Sequence, residues 1–122
     1  MMTRSMLFVV LPPYHTPRNK WRGQIHQAAQ DAAKQMHVRF TESDKLEISI
    51  ELYLSESAIL FHDVDNRLKD ILDALQGRAG GPKKTRSLAA IIPNDRQVYR
   101  VEICKTVSNS NLGGQFIIRR LE

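Results

Sequence analysis

Residues 45–54, KLEISIELYL, alternate without a break, with Leu46, Ile48, Ile50, Leu52 and Leu54 on one side and Glu47, Ser49, Glu51 and Tyr53 on the other. A period of two sends neighbouring side chains to opposite faces of an extended chain, so the stretch predicts a strand with one buried and one wet face. A sheet of such strands needs a second layer over its apolar side. Helices on either side of this strand supply it. TPRNKWRGQIHQAAQDAAKQM places Thr16 as N-cap and Pro17 at the first helical position, ahead of a stripe of Trp21, Ile25, Ala28, Ala29, Ala32, Ala33 and Met36. A second helix is expected from about residue 65 to residue 76, with Leu68, Ile71, Leu72 and Leu75 as its stripe and Gly77 as its stop.

The apolar run from Met6 to Leu11 ends at Pro12 and Pro13 without a small-residue cleavage site, which fits a buried strand better than a signal peptide. Two further strands are expected over about 98–105 and 115–121, joined by the polar turn SNSNLGG. Between the second helix and these strands, GRAGGPKKTRSLAAIIP begins glycine-rich, basic and aperiodic, and reads as a loop. The order is therefore β-α-β-α-β-β, a single α+β domain spanning 1–122 with two helices on a mixed sheet. A chain of 122 residues with 42% apolar content suits one such core. No apolar run approaches the roughly 20 residues of a membrane span, and a cytoplasmic location is expected. The lone cysteine, Cys104, excludes an internal disulfide and a cysteine-built zinc site.

Eighteen lysines and arginines against thirteen acids give a net charge of +5, which favours a polyanionic partner such as nucleic acid. Against that background HDVDNRLKDILDAL, residues 62–75, concentrates carboxylates at the mouth of a helix. With Asp63 still extended and Asp65 as the N-cap, both acids would lie at the positive end of the helix dipole, and Asp65, Lys69 and Asp73 would stack in one column. A third acid, Asp95 in NDRQV, stands at the entrance to a later strand that the topology could bring alongside. Capping aspartates and Asn-Asp turns are common without any function, so each feature alone is unspecific. Clustered carboxylates repel one another, whereas Mg²⁺ requires such hard oxygen ligands. With Lys69 to offset charge in the transition state, the three acids point to phosphodiester hydrolysis.

DVDNRLKDILDAL followed by NDRQV resembles the RusA family of Holliday junction resolvases, small metal-dependent endonucleases often found on prophages. LPPYHTPRNKWR is similar to that family's proline-bearing first strand end. The resemblance implies that Asp63, Asp65 and Asp95 form a catalytic metal site and that Lys69 is essential to the chemistry. It also implies a homodimer that acts on four-way DNA junctions in recombination and repair with Mg²⁺ or Mn²⁺. Asn94 stands where the family pattern has an acid, SAILFH before Asp63 is apolar where the best-known members are strongly basic, and the segment from Gly77 to Pro93 is longer than expected. DNA grip is therefore expected to come from elsewhere or to be weaker.

Arg18, Lys20 and Arg22 crowd the start of the first helix, where cations meet the wrong end of the dipole at a cost of roughly 0.3–1 kcal/mol each. Either they contact phosphate or the helix starts later, beyond Gly23. Lys83, Lys84 and Arg86 are placed to reach a DNA arm from the glycine-rich loop. His62 abuts Asp63, while His15, His26 and His37 lack metal-ligand spacing. Arg119 and Arg120 point to opposite faces of a strand, so one at most shares a side with the acids. The rival reading is a non-catalytic DNA-binding prophage protein that recognises branched DNA; a second is an enzyme on nucleotides or single-stranded ends.

Overall fold

The computed structural model describes residues 6–79 and 88–121. Four strands, β1 (Met6–Leu11), β2 (Lys45–Leu54), β3 (Val98–Val107) and β4 (Gly114–Leu121), combine with two helices, α1 (Arg18–Met36) and α2 (Val64–Leu75), in the expected order. They form one α+β unit with a mixed sheet ordered β1-β4-β2-β3. β4 runs antiparallel to both β1 and β2, and β2 runs parallel to β3. No helix among the described residues is long and apolar enough to cross a membrane.

The alternation in β2 sets the layers. Its five aliphatic side chains are all buried, from Leu46 at 0% exposed to Leu54 at 9%, and Leu7, Val9 and Leu11 of β1 with Phe116 and Ile118 of β4 extend the same apolar sheet. Trp21, Ile25 and Ala29 of α1 and Ile71, Ala74 and Leu75 of α2 close over it. Full burial of each large aliphatic side chain contributes about 1.5–3 kcal/mol.

Both helix starts differ from expectation by a residue or two. Pro17 remains extended at ψ 151° and acts as the N-cap of α1 in place of Thr16; its carbonyl accepts the Lys20 and Trp21 N–H groups at 3.0 and 3.3 Å. Arg18, Lys20 and Arg22 therefore lie inside the first turns, and a helix starting beyond Gly23 is excluded. Asp63, not Asp65, is the N-cap residue of α2, and Asp65 belongs to its first turn. Beyond α2, Gly77 takes φ 81°, and a Cβ there would lie 2.1 Å from the Leu88 carbonyl oxygen. Only glycine fits this stop.

α1 and α2 are joined by charge as well as by apolar contact. Asp70 is fully buried. Its Oδ1 accepts from Arg18 Nε at 3.0 Å and Arg22 Nε at 2.9 Å, and Arg67 Nε lies 3.5 Å from Oδ2. The Arg67 guanidinium stacks 4.2 Å over the Tyr14 ring. Three guanidiniums thus converge on one carboxylate, and the two from α1, Arg18 and Arg22, fix α2 against the start of that helix. Removing one partner from a buried ionic cluster costs about 3–5 kcal/mol because the others are left uncompensated. Asp70→Ala is expected to lower the urea midpoint by that much stability at unchanged m value. A loss below about 1 kcal/mol would place these contacts in the class of solvent-screened pairs.

Candidate functional site

The chain leaves β2 at Leu54 and turns back through a short 3-10 turn, Ile59–Phe61, before entering α2. The Ser55 carbonyl accepts the Ile59 N–H at 3.0 Å and its hydroxyl accepts the Ala58 N–H at 3.2 Å. From β3, Lys105 Nζ donates to the carbonyls of Ile59 at 2.7 Å and His62 at 2.9 Å. This ammonium bridge ties the α2 entry to the sheet. Asp63 follows in extended backbone, φ −89° and ψ 131°, and its carbonyl accepts the Arg67 N–H at 3.1 Å as the first helical acceptor.

The Asp63 carboxylate makes no capping bond to the helix; its Oδ2 accepts from Asn66 Nδ2 at 3.4 Å. Asp63 and Asp65 are both exposed, with one on the cap and the other in the first turn. They share the positive end of the α2 dipole and not a common strand face, because the backbone bends into the helix between them. Lys69, one turn on, lies 3.3 Å from Asp73 Oδ2, as the column of charges predicted, and its side chain remains 65% exposed.

Asp95 does not join them. Its N–H donates to Gln76 Oε1 at 3.2 Å, at the far end of α2. A helix of twelve residues is about 18 Å long, so one chain holds Asp95 well away from Asp63 and Asp65. The cause is topological: parallel strands require the chain to return to its starting end, so the helix entry and the entrance to β3 fall at opposite ends of the sheet. Asp95 instead opens a 3-10 turn, Asp95–Gln97, capped by Asn94, whose Oδ1 accepts the Arg96 N–H at 2.8 Å. Buried Gln97 braces that turn by donating to the carbonyls of Thr41 and Asp44 at 2.8 and 3.0 Å.

Among the described residues no group of three histidines, cysteines or acids is placed to hold a metal ion. Asp63 and Asp65 fit Mg²⁺ in chemical type, and that ion is commonly held by one or two carboxylates together with water and substrate phosphate. They fall short of the three-acid set within a single chain.

The expected DNA-binding residues divide. Arg18 and Arg22 answer the buried carboxylate of Asp70, and the Arg22 side chain is only 16% exposed. Their position against the helix dipole is explained by this ion pairing, without DNA. Lys20 is exposed on α1. Lys83, Lys84 and Arg86 lie outside the described residues. Arg119 and Arg120 do part to opposite sides, Arg119 toward Glu47 at 4.0 Å and Arg120 toward Asp44 at 3.2 Å. Arg67 and Asp70 escaped the sequence reading, although Arg67, Asp70, Ile71 and Ala74 follow the i, i+3, i+4, i+7 spacing of a buried stripe. Charged residues are so seldom buried that this register is passed over.

His62 turns inward from the acids. Its ring meets Tyr14 edge-on at 4.7 Å, and its Nδ1 is buried with no hydrogen-bond partner among the described residues. Burial, reinforced by the positive charges of Arg67 and Lys105, lowers its pKa below 6.5. The imidazole is therefore neutral at neutral pH and is no cation for a phosphate. Because the unfolded chain binds this proton more readily, its effect on stability is absent above pH 6.5 and becomes a loss as pH falls from there through the folded pKa. An NMR titration of His62 should show a midpoint below 6.5, and a midpoint at or above it would refute this environment.

No family model, curated protein or solved structure matches the chain, so its functional reading rests on the residues themselves.

Proposed function

We propose that the chain is a Mg²⁺-dependent endodeoxyribonuclease that cuts branched DNA, a Holliday junction resolvase of RusA type acting as a homodimer. The observation that carries this reading is the exposed pair Asp63 and Asp65 at the mouth of α2, with Lys69 one turn on, in a protein of net charge +5. Concentrated carboxylates hinder contact with a polyanion unless a cation lies between them. Mg²⁺ held by Asp63 and Asp65 would lower the pKa of a bound water and neutralise a phosphate oxygen. Lys69, on a flexible stem beside Asp73, can move to the phosphate and offset the charge that develops there.

Asp95 enters this reading through a second copy. An isologous pairing that sets two α2 helices antiparallel would bring Asp95 of the partner subunit to Asp63 and Asp65, and by symmetry would do so twice. Two sites related by a two-fold axis suit the paired nicks that a four-way junction requires. Support for a partner on this side comes from β3, an edge strand. Val101 and Val107 pair with Ile48 and Leu54, share their core-facing side, and yet stand 38% and 54% exposed. The rival, a non-catalytic protein that recognises branched DNA, is favoured by the incomplete acid set of one chain.

Asp65→Asn should abolish Mg²⁺-dependent nicking of a labelled four-way junction while junction binding is kept, since a ligand and a repulsive charge are lost together. Lys69→Ala should cut turnover by about 10²-fold or more with little change in metal affinity. Cleavage by either variant at the wild-type rate would remove that residue from the chemistry, and equal digestion of junction, duplex and single strand by the wild type would refute structure selectivity. A mixture of Asp65→Asn and Asp95→Asn chains separates the two arrangements of the site. If it is shared, each variant alone is inactive and the mixed dimer regains one intact centre that nicks one strand; if every chain carries its own, mixing restores nothing.

A further inference from the structure

Leu60 and Phe61 stand 83% and 85% exposed, more than any other large apolar side chain among the described residues. Single exposed apolar residues are ordinary and need no partner. This pair differs in how it is mounted. Ile59, in the same 3-10 turn, packs against the core, and the turn is closed by the Phe61 N–H bonding to the Ala58 carbonyl at 2.9 Å. Lys105 Nζ grips the carbonyls on either side of the pair, those of Ile59 and His62. The two side chains are thus held out from a braced support.

Phe61 precedes Asp63 by two residues, which limits their separation to about 7 Å of chain, or about two nucleotide steps of 3.4 Å along a strand. A phosphate engaged by Asp63 and Asp65 would therefore place its neighbouring nucleotides at Phe61. Lys105, exposed and bonded to the Ile59 and His62 carbonyls, supplies positive charge at the foot of the turn. Phosphates are drawn to that foot while the apolar tip meets whatever lies inside the backbone. In an intact duplex the base faces are stacked out of reach. At a branch point the continuity of the stack is broken, so a base is turned out of it at lower cost, and an aromatic ring stacks on any such base because every base has a π-face.

We propose that Phe61, flanked by Leu60, is a wedge that stacks on an unpaired base at the branch point and so makes this protein prefer branched to continuous DNA. The wedge rests on the reading of the protein as a branched-DNA nuclease. Its occupant is a nucleobase, and the apolar pair takes the place of base-independent grip by cations at this position.

The test uses full-length protein with four-way junction and continuous duplex, with 2-aminopurine at the nucleotides flanking the branch and Ca²⁺ in place of Mg²⁺ to prevent cleavage. Wild type should raise 2-aminopurine fluorescence at the branch. Phe61→Ala should remove that rise and weaken junction binding about fivefold or more, with duplex affinity changed less than twofold, and Phe61→Trp should restore both. Because Phe61 is so exposed, the thermal midpoint of the alanine variant should match wild type. Equal weakening for junction and duplex, or unchanged junction binding and fluorescence, overturns the wedge while leaving the nuclease intact. A shift of Phe61→Ala from dimer to monomer in sedimentation would reassign the pair to a second copy and also overturn it. Failure of the wild type to bind any branched DNA would overturn the nuclease reading and the wedge together.

Discussion

The parallel pairing of β2 with β3 is the constraint on which the rest of the arrangement depends. Parallel neighbours cannot be joined by a tight turn, so the chain must travel back along the sheet, and α2 is the return path. That single requirement puts the entry of α2 at one end of the sheet and the entrance to β3 at the other. Asp63 and Asp65 fall at the first, Asp95 at the second. Acids of the same chemical type are thereby kept apart within one chain, which does not gather the three of them into one group.

The same crossover explains where the cations go. To lie on the sheet, α2 must also pack against α1, and that contact buries Asp70 completely. A buried carboxylate without partners would be strongly destabilising, and Arg18, Arg22 and Arg67 converge on it. Much of the basic character at the start of α1 is thus consumed inside the molecule. The formal charge of +5 overstates the positive surface beside the acids, where Lys69 is paired with Asp73 and Lys105 is held on backbone carbonyls.

Two glutamines play a comparable part at the far end. Gln76 and Gln97 are both buried, and between them they hold the Asp95 turn to the C-terminal end of α2 and to the residues that lead into β2. Asp95 is left exposed on a rigid mount. The mouth of α2 is built alike, with exposed acids on a turn braced by Lys105. Both ends therefore present carboxylates to solvent from turns braced by side-chain hydrogen bonds to the backbone.

The sequence by itself determined the elements. A period of two in β2, the apolar stripes of the helices and the glycine after α2 are local patterns whose geometry follows from the backbone, so element order, sheet class and the buried face of β2 could be read directly. The i,i+4 pairing of Lys69 with Asp73 was legible for the same reason. Tertiary structure alone decided which elements became neighbours. The direction of β3 relative to β2 is not encoded in either strand's alternation, and it separates Asp95 from Asp63 and Asp65. The burial of Asp70 depends on α1 lying across α2, a contact between residues some fifty positions apart, and it turned Arg18 and Arg22 inward. Local periodicity fixes what a segment becomes, whereas the direction and company of that segment depend on packing over the whole chain, and the candidate site was decided by the latter.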